Sequence, residues 1–192
     1  MHDPISQFEH WLAEAKAHKH ISEPTAMCLA TADAKAVPSA RMVLLKGLDA
    51  RGFVFYTNNE SHKGADLREN PHAALVFYWM PLGRQVRVEG VVQPVSDAEA
   101  DEYFASRPRD SRIGAWASKQ SRPLKDKAQL LADVARETAR FGLGEVPRPP
   151  YWHGWRVVPS VIEFWQEGSF RIHEREVFTR DGDGWKVVRL YP

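Results

Sequence analysis

The sequence predicts a mainly β protein with flanking helices, of the α+β class, built around a small antiparallel β-barrel. Three observations lead there. Apolar runs of strand length recur in the first half of the chain, at 25–31, 37–48, 52–57 and 72–79. The first three are joined by short polar turns, which suit antiparallel pairing and leave no room for βαβ crossovers. Helical periodicity appears only in a few separate windows, so helices decorate the sheet rather than alternate with strands.

Taken in order, Ile5, Phe8, Leu12 and Ala15 fall at helical spacing and predict an amphipathic helix over residues 4–19, ended by Pro24. Thr25 to Thr31 reads as a strand, Val37 to Leu48 as a long one and Gly52 to Thr57 as a third. Ser61 caps a short helix to about residue 69, stopped by Asn70-Pro71. His72 to Trp79 is a nearly continuous apolar strand. Pro81-Leu82-Gly83 turns the chain into Arg84 to Val95, where Val86 and Val88 take one face and Gln85, Arg87 and Glu89 the other. A polar face on a core strand calls for a ligand or a second subunit against it. Ser96 and Glu99 make a capping box for a helix over about 97–106. A further helix over about 122–140 puts Leu124, Ala128, Leu131 and Ala135 on one face. Gly142 to Pro150 is a connector, and Asp181-Gly182-Asp183-Gly184 turns a closing hairpin. The 192 residues fit one domain: helix 1–20, barrel strands 25–95, helical insert 96–141 and C-terminal strands 151–192.

The net charge of +1 supplies no global field for nucleic acid or anionic membrane, so any anion must be met locally. The longest strongly apolar stretch, Ala73 to Met80, is too short to span a bilayer. The one cysteine, Cys28, sits in an apolar run and reads as a buried, inert thiol. With a polar start and no signal peptide, the expectation is a soluble cytoplasmic protein.

Several familiar chemistries are missing: no GxGxxG, P-loop or GxSxG elbow, no metal spacing among the eight histidines, and no prominent pair of carboxylates. What remains is cationic and hydroxyl-bearing, near strand ends and helix starts. Arg41-Met42-Val43-Leu44-Leu45-Lys46 has a cation at each end; on a regular strand Arg41 and Lys46 fall on opposite faces and would serve different phosphates or different subunits. Tyr56-Thr57 feeds Ser61-His62-Lys63, a helix N-terminus with free N–H groups and a favourable dipole for phosphate. Tyr103 and Arg107 stand four apart, with Ser111 able to fold back past Pro108. Gln120 and Ser121 immediately precede a helix. Near the end, Arg171, His173 and Arg175 share one face if the segment is a strand, and such a face needs something anionic or electron-rich over it.

Taken singly, these clusters also read as ordinary strands, caps and helix ends. In this order and spacing, RMVLLKG (41–47), GFVFYTN (52–58), RQVRVEG (84–90), YFASRPRDSRIGAWAS followed by QS (103–121), IEFWQ (162–166), RIHER (171–175) and WKVVRLYP (185–192) resemble the pyridoxine/pyridoxamine 5′-phosphate oxidases. The resemblance runs from about residue 25 to the end. It implies an FMN-binding split β-barrel of antiparallel Greek-key type, forming a homodimer with FMN in the clefts between subunits. It further implies that Arg41 to Lys46, Tyr56, Thr57, His62 and Lys63 bind FMN from one subunit, completed by Gln85, Gln120, Ser121, Trp165 and Arg175, in part from the other. Lys46, Tyr103, Arg107 and Ser111 would cage the phosphate of a phosphorylated B6 vitamer, with Arg171 and His173 over its ring. The implied reaction passes hydride from C4′ of the substrate to the flavin, with O₂ as final acceptor. Two departures stand out. Many relatives carry a basic extension ahead of the first helix, whereas Met1-His2-Asp3-Pro4 begins almost at it. His62 stands where relatives often carry a second cation, so weaker FMN binding at high pH than at pH 6 is expected.

Overall fold

The computed structural model describes residues 3–192; Met1 and His2, part of the short start expected ahead of the first helix, lie outside the described residues. Helix α1 (Pro4–Ala17) is capped by Asp3, which accepts from the Ile5 and Ser6 amides at 3.3 and 2.9 Å, with Pro4 at a first-turn position that has no intrahelical N–H partner to lose. Its buried side enters the core, where Phe8 meets Phe53 and Phe77 edge-on at centroid distances of 4.9 and 4.8 Å.

Nine strands follow: β1 (Ala26–Ala32), β2 (Pro38–Leu44), β3 (Gly47–Asp49), β4 (Gly52–Asn58), β5 (His72–Trp79), β6 (Arg84–Pro94), β7 (Trp152–Gln166), β8 (Glu174–Asp181) and β9 (Gly184–Arg189). All pair antiparallel in the order β2-β1-β5-β6-β7-β4-β3, with β8 added to β7 and β9 to β8. The two ends of that order, β2 and β3, are separated in sequence only by Leu45 and Lys46. The sheet must therefore curl until its edges meet. At the seam the Leu45 amide donates to the Thr25 carbonyl at 2.9 Å, and the Lys46 amide to the Val54 carbonyl at 2.8 Å. The long strand expected over 37–48 is thus two strands broken at the barrel's closure.

Strand β7 serves two neighbours along one edge: residues 152–157 pair with β4 and residues 161–166 with β8. Pro159, which has no N–H to offer, sits at the changeover. On the other edge the register to β6 shifts between Glu89 and Gly90, a bulge that leaves Ser160 unpaired; a Cβ on Gly90 would lie 2.0 Å from the Val158 carbonyl oxygen.

The helices between strands are α2 (His62–Glu69), α3 (Asp97–Ser106), α4 (Arg109–Ala117) and α5 (Lys127–Phe141). The capping box on α3 forms as expected, Ser96 and Glu99 each meeting the other's backbone. Helix α4 was not foreseen. Helix α5 departs from expectation in start and in face: Asp126 caps it after Pro123, and its buried residues are Asp133 and Glu137, while Leu124 and Leu131 are 49% and 59% exposed. The two carboxylates are met within the same helix by Arg136 at 2.6 Å and Arg140 at 3.1 Å, i,i+3 pairs that offset their charge. Cys28, expected to be buried, is half-buried, because it alternates with the fully buried Met27 and Leu29 and so faces outward. No helix among the described residues is long and apolar enough to cross a membrane.

Candidate functional site

A cleft of about 1020 Å³ opens where β2, the end of β4, the start of α2, the end of α3, α4 and the segment 118–121 converge. It gathers Arg41 to Leu44, Lys46, Tyr56, Thr57, His62, Lys63, Tyr103, Arg107, Ser111, Gln120 and Ser121. Arg41 and Lys46 reach the same cleft, contrary to the two-face expectation, because β2 ends at Leu44 and the chain turns at the seam. Leu45 does not line it; at 5% exposure it belongs to the core.

Four fixed cations, Arg41, Lys46, Lys63 and Arg107, line this space, and among the described residues no carboxylate does. Arg41 is anchored from behind: its guanidinium donates to Thr31 Oγ1 at 2.7 Å and Ser39 Oγ at 2.5 Å, with the buried Asp66 3.7 Å away. Burial lowers its affinity for a proton, although Asp66 works against that. Lys63 is buried at the first turn of α2 and donates to Gln120 Oε1 at 2.9 Å and Thr57 Oγ1 at 3.1 Å. Desolvation, reinforced by the nearby Arg41 charge, pulls its pKa down to about 8. His62 lies 3.6 Å from Asp66. Ser61 caps this helix, and Gly64 lets it approach Asn59, whose carbonyl oxygen would lie 2.3 Å from an added Cβ.

Arg107 ends α3 as its C-cap residue. Its Nη1 is buried without a hydrogen-bond partner, and burial lowers its pKa, with the adjacent Tyr103 opposing. A buried guanidinium donor left unmet favours an anion beside it. Tyr103 stacks on Tyr56 at 4.1 Å, and Tyr56 on Trp152 at 5.1 Å. Sequence reasoning missed Trp152 and Asn58 as cleft residues.

The remaining predicted residues lie outside the cleft lining. Gln85, Trp165 and Arg175 stand in register across β6, β7 and β8. Arg175 donates to Glu163 Oε1 at 2.8 Å, and Arg87 to Glu163 Oε2 at 3.2 Å, so the polar face of β6 is partly satisfied within the chain. The strand expected to carry Arg171, His173 and Arg175 together begins only at Glu174. Arg171 closes a single 3₁₀ turn, Ser169–Arg171, with φ of 57° at Phe170 and 63° at Arg171. That left-handed turn, packed where Gly168 passes 1.9 Å (from a would-be Cβ) to the Ile172 carbonyl, breaks the shared face. His173 instead lies 4.7 Å from the Trp165 ring and accepts from the Gly168 amide at 3.2 Å.

The structure thus has a curled antiparallel sheet beside a cleft lined by cations and, among the described residues, by no carboxylate. The comparisons with known proteins give the family. Residues 13–140 match the family model for pyridoxamine 5′-phosphate oxidase, and residues 152–192 match the pyridoxine 5′-phosphate oxidase C-terminal dimerisation region. The pyridoxine/pyridoxamine 5′-phosphate oxidase of Maricaulis maris is 60% identical, over 99% of this chain and 86% of that protein; that of Rhodospirillum rubrum is 57% identical, over 99% and 96%. The crystal structure of PhzG from Burkholderia lata, in complex with tetrahydrophenazine-1-carboxylic acid, superposes with a TM-score of 0.93 at 35% identity, covering 99% of this chain and 93% of that one. The chain belongs to the pyridoxine/pyridoxamine 5′-phosphate oxidase family, and its fold is the family's split β-barrel.

Proposed function

We propose that the protein is an FMN-dependent oxidase that converts pyridoxine 5′-phosphate or pyridoxamine 5′-phosphate to pyridoxal 5′-phosphate, with O₂ as acceptor. The observation that carries this reading is the acid-free cleft with four cations, one of which, Arg107, has a buried Nη1 with no hydrogen-bond partner. Such a donor set suits FMN and a phosphorylated substrate together. In this reading Arg41 to Leu44, Lys46, Tyr56, Thr57, His62, Lys63, Gln120 and Ser121 hold FMN. Lys46, Tyr103, Arg107 and Ser111 hold the substrate phosphate. Gln85, Trp165, Arg171, His173 and Arg175, outside the cleft of their own chain, complete the site from the other subunit of a homodimer.

When bound, FMN supplies hydride acceptance from C4′ and electron transfer to O₂, giving H₂O₂; with the amine substrate, hydrolysis of the imine gives aldehyde and ammonia. The chain's own part is binding and orientation. Lys63 and the α2 N-terminus neutralise a phosphate, Arg107 fixes the second phosphate, and Arg171 and His173 seat the ring. The proton released with the hydride would pass to solvent, since among the described residues no carboxylate lines the cleft to take it.

The test is aerobic turnover of FMN-reconstituted protein with pyridoxine 5′-phosphate, following pyridoxal 5′-phosphate and H₂O₂ together. Stoichiometric formation supports the reading. Bound flavin without product rejects it in favour of a second reading, oxidation of a different ring substrate, which the likeness to PhzG favours.

A further inference from the structure

We propose that Trp152 is a positioning residue for Arg107, holding the guanidinium by a ring face so that its N–H donors stay free for an anionic ligand. The inference rests on the reading of the cleft as a phosphate site. Arg107 Cζ lies 4.9 Å from the centre of the Trp152 ring and 5.4 Å from that of Phe104. Among the described residues its side chain makes no ion pair, and Nη1 is buried with no hydrogen-bond partner. A carboxylate would orient this cation equally well, but would occupy the donors that a phosphate needs. A π face attracts the charge through its quadrupole and leaves the in-plane N–H groups unspent.

Two other guanidiniums in the chain show the alternative. Arg84 lies 4.5 Å over Trp11 and Arg140 4.7 Å over Trp116, yet Arg84 also meets Glu14, and Arg140 meets Glu137 at 3.1 Å. Their charges are internally neutralised; that of Arg107 is not.

The platform is itself fixed. Trp152 is 7% exposed, with Tyr56 parallel to it at 6° and Phe104 edge-on at 4.9 Å. The β-register explains how. Tyr56 pairs with Gly154, two residues beyond Trp152 and so on the same face of β7. A Cβ on Gly154 would lie 2.6 Å from Tyr56 Cε1, so glycine is what lets the tyrosine lie flat toward Trp152.

The test is calorimetric titration of the FMN-loaded protein with 4-deoxypyridoxine 5′-phosphate, which lacks the oxidisable C4′ substituent, and with its unphosphorylated form. Trp152→Leu should weaken binding of the phosphorylated probe by about tenfold and leave the unphosphorylated probe unaffected. In turnover KM should rise while kcat stays within about twofold. Trp152→Phe, which keeps a ring face, should restore most of the affinity. In an Arg107→Ala background, Trp152→Leu should add less than about twofold. An equal loss in that background, or an equal loss for both probes, would show a merely structural role and overturn the inference while leaving the phosphate site intact. If Arg107→Ala itself costs nothing and wild type does not prefer the phosphorylated probe, the reading of the cleft fails, and the inference with it.

Discussion

Two arginines, one buried and one half-buried, show how the molecule divides its charges. Arg156, 6% exposed on β7, donates to Asp49 and to Glu99, each at 2.8 Å, and Arg51 meets the same two carboxylates at 2.7 and 2.9 Å. This four-charge square ties α3 to the β3–β4 turn. Arg107, at the far end of the same helix, has no carboxylate at all. A buried charge that is fully paired fixes conformation, and one left unpaired stores a demand that only a ligand meets. One helix is thus fastened at its start and armed at its end.

That contrast predicts opposite signatures. Arg107→Ala should raise KM for the phosphorylated substrate about 100-fold, the cost of removing a charge-assisted contact of ~2–3 kcal/mol. Its denaturation midpoint should hold or rise, because an unmet donor is gone. Steady-state kinetics beside a urea melt decides this, and a lowered midpoint with normal KM reverses the assignment. Arg156→Met should instead cost about 2 kcal/mol of stability, since the two carboxylates left behind are partly exposed and retain Arg51. Its KM should change far less than that of Arg107→Ala.

Lys63 sharpens the comparison through pH. Its pKa is drawn from 10.5 to about 8, so the free protein loses this charge above pH 8, and anion binding must there take up a proton. FMN affinity should be level from pH 6 to about 7.5 and fall toward tenfold per unit above pH 8. Flavin fluorescence titrations to pH 9.5 would show it, and a flat profile rejects Lys63 as a phosphate ligand. The sign for stability is the reverse. The folded state binds this proton less tightly than the unfolded chain, so the penalty of the buried charge is felt below pH 8 and fades as pH climbs toward 10.5. Smallest is a control away from the cleft: Ala36, held at φ 61° in an exposed turn, should gain ~0.5 kcal/mol on change to glycine, with ligand affinity untouched.

The strands and the cleft's first wall were legible because they follow simple rules. Alternation marks β6, apolar runs mark β1, β2, β4 and β5, and Ser61 before His62-Lys63 marks a helix start aimed at an anion. The seam at Leu45-Lys46 was hidden, since a break forced by barrel closure leaves no local trace. Helix α4 was missed because only Ile113 and Ala117 are buried on it, too few for a periodic signal. Helix α5 misled because the side it buries is acidic. The turn at Phe170-Arg171 adopts a glycine's conformation without a glycine, so nothing in the letters announced it. No motif marked Trp152; its part emerges only from the register that sets Tyr56 opposite Gly154.

The seam between β2 and β3 carries a consequence for how the protein comes into being. The barrel cannot shut until β7 arrives to bridge β6 and β4, and contacts such as Trp155 to Asn59 span 96 positions. Pairings that distant in sequence are slow to form and late in synthesis. A chain still emerging from the ribosome therefore holds Arg41, Lys63 and Arg107 on separate, unassembled pieces. A ligand that needs all three cations can stabilise only the finished barrel, so its scarcity should be felt as a shorter lifetime of completed molecules rather than a failure to begin folding.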